Sequence, residues 1–290
     1  MLPCHPWNAR GDAIIMGHTS IEWADNNHNW MRPACSKVSP GCAGCYSERS
    51  AKRNGQNFAD IGLKSNSMEV IQEPLHWRKP KRTFVNSMSD TFHEQFETHL
   101  AMQQARNAAF DVYDKASNHV FILLTKRPHL MAKFMQERYG EKGVPDHIFV
   151  GTSIESEKYL FRADILREIR ARHRLLSIEP LLGLIINPNL QGISWVIVGG
   201  ESAPKMYGIP SPRPRPMRKE WVIEILKACR EQNVSFFFKQ WGSLNGDYSV
   251  KCECHGAWGC RLLNDKTYDE FPIEWPPVPK SDNMSLEMFA

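Results

Sequence analysis

The sequence lacks any long apolar run. No stretch approaches the roughly 18–20 apolar residues that a helix needs to cross a membrane, so we expect no membrane contact. The first 18 residues contain no basic segment followed by an apolar core, and they therefore predict no secretory signal. Together these absences favour a protein of the cytoplasm.

The sequence also lacks a strong excess of charge and two familiar catalytic motifs. Its 36 Lys and Arg against 32 Asp and Glu give a formal net charge of +4, so nucleic acid is permitted as a partner but not demanded. A zinc-protease HExxH motif is absent, because Glu97 stands four residues after His93. The phosphate-binding pattern GxxxxGK[ST] is absent as well, which argues against a P-loop NTPase.

Short apolar runs are present, and they alternate with helical patterns. The runs are rich in Val, Ile, Leu and Phe and mostly do not alternate with polar residues, which is typical of strands covered on both faces. Repeated strand–helix units predict parallel strands joined by crossover helices. The predicted strands are 83–88, 119–125, 147–153, 174–180, 194–200 and 234–242, with a first strand near 28–34, and the predicted helices are 94–117, 157–172 and 216–232.

These elements predict an α/β fold with a complete or partial (β/α) barrel of parallel strands, and an open doubly wound sheet is the alternative. We divide the chain into an N-terminal extension at 1–18, the barrel at 19–242 and an irregular, cysteine-containing C-terminal extension at 243–290. The segment 202–218 holds five prolines and is predicted to be a long loop.

Polar residues follow each predicted strand. Chemistry gathers at the carboxyl ends of strands in parallel α/β folds, so these residues are candidates for one site. Lys126, next to Arg127, would hold a carboxylate or phosphate near a helix that begins at Pro128. The candidate catalytic residues are Asp90, Lys126 and Glu179, and the candidate cofactor-binding residues at strand ends are Ser89, Thr125, Ser153, Ser177, Gly199, Gly200 and Glu201.

Three of the eight cysteines, Cys35, Cys42 and Cys45, lie on one loop rich in Pro and Gly. Close cysteines in a reducing compartment bind metal more often than they form disulfides. Three thiolates are one ligand short of a structural zinc site, and His28 or His5 would have to complete it. A [4Fe–4S] cluster on three thiolates instead leaves one iron open to a substrate or cofactor, and this interpretation is favoured.

Eight segments in chain order carry a resemblance to a known family. They read TSIEWAD, KVSPGCAGCYSE, NSMSDTFHE, LLTKRP, GTSIES, LLSIEPLLG, WVIVGGES and FFFKQWG. From about residue 19 to 272 the chain resembles a phage and prophage family known for a three-Cys motif and classed as radical-SAM-like. The resemblance implies a radical SAM (β/α) barrel of the TIM type in the host cytoplasm, with a [4Fe–4S] cluster on the three cysteines. It also implies that S-adenosylmethionine binds the open iron and is cleaved reductively, with flavodoxin or ferredoxin as the reductant.

The loop departs from the commonest radical SAM pattern, which is C-x3-C-x2-C with an aromatic residue before the third cysteine. Here the first gap is six residues, Gly44 precedes Cys45, and the aromatic Tyr46 follows it. The longer gap is the pattern of the resembled family itself, so cluster binding is still expected. Tyr46 is the aromatic candidate for a cofactor contact.

A second group of cysteines lies in the C-terminal extension. Cys252, Cys254 and Cys260 are spaced to converge on one metal, and the group predicts zinc or an auxiliary iron–sulfur cluster. A neighbouring His255 would be an awkward fourth ligand because it adjoins Cys254. Cys229, in contrast, stands on the apolar face of a predicted helix and is expected to be a buried structural thiol.

The favoured function is a radical SAM enzyme that modifies, rearranges or repairs a nucleic-acid base or nucleotide. The substrate class follows from the phage resemblance and from basic stretches at 77–82, 167–174 and 213–219, which suit phosphates. Two alternatives remain open at this point. One is a radical SAM enzyme acting on a small metabolite or peptide, and the other is a zinc-stabilised nucleic-acid-binding protein without catalysis.

Overall fold

A computed structural model describes residues 19, 21–202, 214–242 and 261–274. Within them, seven strands form one sheet, and each strand pairs in parallel with the next strand along the chain. The strands are β1 Asn26–His28, β2 Arg82–Val85, β3 Val120–Thr125, β4 Ile148–Ser153, β5 Arg174–Ile178, β6 Trp195–Gly199 and β7 Ser235–Gln240.

Helices occupy the connections between the strands. Pro128 begins the helix that follows β3, as predicted from its fixed φ. The helices of the described residues are α1 Tyr46–Arg53, α2 Ser67–Gln72, α3 Leu100–Lys115, α4 Pro128–Tyr139, α5 Phe161–Glu168 and α6 Lys219–Glu231. None of them is long and apolar enough to cross a membrane.

The sheet curls into a half-barrel with a small inner core. Trp23, just before β1, packs edge-on against Trp195 of β6 with ring centroids 6.0 Å apart, which brings the two sides of the sheet together. Among the described residues no pairing joins β1 to β7, so the barrel is partial. A doubly wound sheet would reverse its strand order, and the sequential order here excludes that alternative. The inner core includes Phe84, Ile122, Phe149, Leu175, Ile197 and Phe237, and the helices cover a larger core on the outer face.

Part of the predicted C-terminal extension packs on the half-barrel. The backbone N–H of Phe238 donates to the carbonyl of Tyr268 at 2.9 Å. The ring of Phe271 stacks on Phe149 at 5.5 Å and meets Trp195 at 4.9 Å. Because Phe149 and Trp195 lie at the amino ends of their strands, residues 261–274 cover that end of the inner face.

Several element boundaries differ from the prediction. The first strand was expected near 28–34, on the apolar Trp30 and Met31, but β1 is Asn26–His28. Trp30 and Met31 are buried outside the sheet, and their N–H groups donate to Asn86 Oδ1 at 3.2 and 3.3 Å. The predicted helix at 94–117 is a 3-10 turn followed by α3, the one at 157–172 contains the shorter α5, and α1 and α2 were not predicted.

Candidate functional site

The carboxyl ends of the strands surround a pocket of about 250 Å³. Side chains alternate between the two faces of a strand, and the inner series on and after β5 is Leu175, Ser177 and Glu179. Leu175 belongs to the inner core, whereas Ser177 and Glu179 line the pocket. Trp23 and Phe84 form an aromatic floor, with ring centroids 4.7 Å apart. The inner face therefore becomes polar at the end where parallel α/β folds hold their ligands.

The three-Cys loop, residues 35–45, forms one wall of this pocket. Cys35, Cys42 and Cys45 all line it, and none forms a disulfide. Cys42 ends a 3-10 turn, and Cys45 is the N-cap residue of α1. The loop thus lies between the carboxyl end of β1 and a helix N-terminus, and all three of its cysteines line the pocket.

The thiols hydrogen-bond to nearby polar groups. Arg127 Nη1 donates to Cys35 Sγ at 3.7 Å, and Cys42 Sγ lies 3.8 Å from Ser39 Oγ. Burial raises the pKa of Cys35 to about 12 and also raises the pKa of Cys45. In the part of the chain that the structure describes, no three His, Cys, Asp or Glu side chains are grouped closely enough to hold a metal ion. The donor set itself, three thiols on one wall, suits an iron–sulfur cluster better than a four-ligand zinc site.

A buried carboxylate supports the loop. Glu155, which follows β4, is fully buried and accepts hydrogen bonds from Ser39 Oγ and, at 3.0 Å, from Arg162 Nη1. Lys126 Nζ lies 3.2 Å from the same carboxylate. A Cβ atom at Gly41 would lie 2.4 Å from Glu155 Cγ, so only glycine lets the loop approach this closely.

An arginine also supports the loop. Arg215 pairs with Glu201 and also donates from Nη2 to the carbonyl of Pro40 at 2.9 Å. Burial alone would raise the pKa of Glu201, but the hydrogen bonds from Arg215 hold it below its usual range. Glu201 also lies under Gly44, where a Cβ atom would be 3.2 Å from its Oε1. Glu201 lines the pocket as predicted by its position, but its carboxylate is engaged with protein groups.

A buried network lies behind Cys35. Thr125 Oγ1 donates to both carboxylate oxygens of Asp90, at 2.8 and 2.9 Å, and Arg127 Nη1 donates to Asp90 Oδ2 at 2.8 Å. Arg127 Nε donates to Glu94 at 2.7 Å. Burial alone would lower the pKa of Arg127, but Asp90 and Glu94 hold it above its usual range. Asp90 and Arg127 line the pocket while binding each other.

A further ion pair lies on the inner face of the sheet. Lys239 Nζ of β7 lies 3.0 Å from Glu179 Oε1, and Ser177 Oγ donates to Glu179 Oε2 at 3.2 Å. Glu179 follows β5 and Lys239 is on β7, so the pair passes over the intervening strand β6 at Gly199. A Cβ atom at Gly199 would lie 2.4 Å from Glu179 Oε1. Burial alone would lower the pKa of Lys239, but the carboxylates of Glu179 and Glu22 hold it above its usual range.

The comparison with protein families concerns this same region. Residues 18–272 match a family model described as "Protein of unknown function (DUF5131)". The chain belongs to this family. The DUF5131 match includes all seven strands and the three-Cys loop, so it contains every residue that lines the pocket. No curated protein and no solved structure matches the sequence.

The DUF5131 pocket brings together nearly all the residues predicted for the site. Gly199 is the exception, since it lies behind Glu179 and does not line the pocket. The Tyr46 hydroxyl donates to the carbonyl of Ser87. Cys252, Cys254 and Cys260 fall outside the described residues. The predicted residues that line the pocket are Cys35, Cys42, Cys45, Tyr46, Ser89, Asp90, Thr125, Lys126, Ser153, Ser177, Glu179, Gly200 and Glu201.

Several residues that line or support the DUF5131 pocket were not among the predicted site residues. Glu155 and Lys239 stand at predicted strand ends, and this position was the available signal. Arg127 was considered only beside Lys126 as a binder of anions. Arg215 lies in the proline-rich segment, where no element was predicted, so its role as a support was not visible in the sequence.

Two other predictions concern residues outside the pocket. His28 does not face the thiols, because its ring nitrogens bond to the Tyr113 hydroxyl at 2.9 Å and the Val70 carbonyl at 2.7 Å. Burial lowers the pKa of His28 to about 4, so the ring stays neutral in the core. The idea that His28 completes a zinc site is therefore wrong, and His5 lies outside the described residues. Cys229 is fully buried on α6, as predicted.

Proposed function

We propose that this DUF5131 protein is a radical SAM enzyme of the cytoplasm, or of the host cytoplasm if a phage encodes it. In this proposal Cys35, Cys42 and Cys45 hold a [4Fe–4S] cluster. The observation that carries the proposal is the position of the three thiols, which line one pocket at the carboxyl ends of a parallel half-barrel. The resemblance of the sequence to radical-SAM-like phage proteins points in the same direction.

Cys35, Cys42 and Cys45 would hold the cluster, and once reduced by flavodoxin or ferredoxin it would supply the electron for cleavage of S-adenosylmethionine to methionine and a 5′-deoxyadenosyl radical, which abstracts hydrogen from a substrate. The chain's own residues prepare the space for this reaction. Glu155 binds the Ser39 hydroxyl and Arg215 binds the Pro40 carbonyl, so both hold the three-Cys loop in place. Trp23 and Phe84 close the floor against water. Ser89 Oγ and Gln240 Oε1 are buried in the pocket wall without a hydrogen-bond partner, and they suit a polar ligand.

A nucleic-acid base or nucleotide is the substrate class that we propose, and a small metabolite or peptide is the alternative. Two of the three basic stretches, 77–82 and 167–174, precede β2 and β5 and so lie at the amino ends of the strands, away from the pocket. The third, 213–219, contains Arg215, which binds the pocket residue Glu201 and the Pro40 carbonyl of the three-Cys loop. Only this stretch supports a phosphate-bearing substrate at the pocket.

Anaerobic reconstitution tests the proposal. The purified protein should turn brown, bind about four irons per cluster and release 5′-deoxyadenosine from S-adenosylmethionine when reduced with flavodoxin. Cys42→Ala should lose both the colour and the cleavage. Cys229→Ala is the matched control, because it removes a thiol that lies outside the pocket, and it should retain both.

The alternatives predict different results in the same preparation. A colourless wild-type protein with stoichiometric zinc would favour the zinc-stabilised protein without catalysis. If the cluster forms, binding to short DNA and RNA at increasing salt separates the substrate classes, because phosphate contacts weaken steeply with salt. An enzyme for a free metabolite or peptide should show no such binding.

A further inference from the structure

The wall behind Cys35 contains a buried guanidinium whose donors all have partners. Arg127 is 2% exposed although it carries a full positive charge. Its Nε donates to Glu94, its Nη1 donates to Asp90 and Cys35, and its Nη2 donates to the hydroxyl and the carbonyl of Ser36. A planar fork of five N–H groups can meet such a set of acceptors, and an ammonium group cannot.

The partners of Arg127 fix it relative to the three-Cys loop. Asp90 is itself held by Thr125 and by the backbone N–H of Phe92, which donates at 2.9 Å. Ser36 directly follows Cys35, and its hydroxyl also meets His93 Nε2 at 2.9 Å. The guanidinium is thus tied to the ends of β2 and β3 on one side and to the loop on the other. This arrangement leaves Arg127 no freedom to follow a substrate.

We infer that Arg127 is a positioning residue for the cluster, and that it donates an N–H···S hydrogen bond to Cys35 and sets the reduction potential through its charge. This inference rests on the proposed function. Hydrogen bonds to the sulfur ligands and the local charge are established determinants of iron–sulfur potentials. The positive charge of Arg127 beside Cys35 would favour the reduced, more negative cluster, and the negative charge of Asp90, which binds the same Nη1 at 2.8 Å, would oppose it.

Two substitutions separate this role from a structural one. Arg127→Met removes a positive charge beside Cys35, so the potential of the reconstituted cluster should shift to a more negative value. Asp90→Asn removes a negative charge while Glu94 and Ser36 still hold Arg127, so the potential should shift to a more positive value. Arg127→Lys keeps the positive charge but loses the planar set of N–H donors. Its cluster potential should lie between those of wild type and Arg127→Met. A loss of packing alone gives no reason for shifts of opposite sign.

Arg106→Met is the matched control. Arg106 is also a buried arginine, 5% exposed, but it packs against Phe96 and Phe134 and does not contact the three-Cys loop. Its variant should keep the wild-type potential. The measurement is a redox titration followed by electron paramagnetic resonance, with iron content determined for each protein.

The outcomes distinguish this inference from the proposed function. Wild-type protein that takes up no iron overturns both. Iron-loaded Arg127→Met and Asp90→Asn proteins whose potentials equal the wild-type value, or shift in the same direction as each other, overturn the inference and leave the proposed function standing. If Arg127→Met does not fold, Asp90→Asn and Arg127→Lys still decide the question, because both keep a cation in the site.

Discussion

Single residues build the pocket by forming ion pairs between different strand ends. Lys239 of β7 meets Glu179 after β5, and Lys126 after β3 meets Glu155 after β4. The sequence predicted that polar residues would collect at these ends, because parallel strands share one carboxyl edge. It could not predict the pairs, since they depend on how far the sheet curls. Asp90 and Glu201 were predicted to bind a substrate or cofactor, but their carboxylates instead accept hydrogen bonds from arginines.

Gly199 allows the Glu179–Lys239 pair to form, and its substitution should break the pair. In Gly199→Ala the new Cβ would lie 2.4 Å from Glu179 Oε1, and Glu179 is held by Ser177 and Lys239. We expect overpacking to lower the free energy of unfolding by about 1–3 kcal/mol, measured by urea denaturation.

The matched control is Gly183→Ala. Its Cβ would meet only Ser156 Cβ, at an ordinary 3.6 Å, so its unfolding curve should match that of wild type. Equal curves for Gly199→Ala and wild type would show that Glu179 moves aside freely, and the pair would then have no fixed place in the pocket.

At the scale of elements, strands were easier to predict than the short helices. The strands after the first were found from apolar runs, because both faces of a parallel sheet are covered. The first strand, Asn26–His28, has no apolar residue. The strand was therefore predicted near 28–34, where the apolar Trp30 and Met31 stand. The helices α1 and α2 have only eight and six residues, too few for a clear helical period. The three-Cys loop depends on contacts with distant elements, which no local pattern reveals.

The three-Cys loop should loosen when the charge of Glu155 is removed. Glu155→Gln keeps the shape of the side chain but leaves the buried Arg162 without its carboxylate. Removing one partner of a buried ion pair lowers stability by about 3–5 kcal/mol. We also expect faster alkylation of Cys42, because Ser39 next to it in the turn loses a charged acceptor. Urea denaturation and mass spectrometry of the alkylated protein measure the two effects.

Glu157→Gln is the control for this element, since Glu157 is exposed at the start of a 3-10 turn just beyond Glu155. It should change neither stability nor alkylation. If Glu155→Gln behaved like Glu157→Gln, the loop would be held by its own turn and by Arg215 alone.

At the scale of the whole molecule, the half-barrel has two different ends. The carboxyl end is open and polar, and it holds the three-Cys loop. At the amino end, residues 261–274 pack against the inner core, although the sequence predicted an irregular extension there. An incomplete barrel leaves an edge and an inner face that must be covered. The packing of this segment could not be predicted from the sequence, because the segment shows little apolar periodicity. Its contacts are made by single side chains such as Phe271.

Phe271 should therefore contribute to the stability of the entire half-barrel. Phe271→Ala removes a ring that stacks on Phe149 and meets Trp195. Replacing a fully buried phenylalanine lowers stability by about 3–5 kcal/mol, and for the half-buried Phe271 we expect about 2 kcal/mol. Phe161→Ala is the control, because Phe161 is 53% exposed, and its unfolding midpoint in urea should stay near that of wild type. Phe271 contacts the same inner core that forms the pocket floor. Its loss should therefore lower the urea midpoint of a single cooperative unfolding transition. A separate early transition in Phe271→Ala would instead mean that residues 261–274 unfold independently of the sheet.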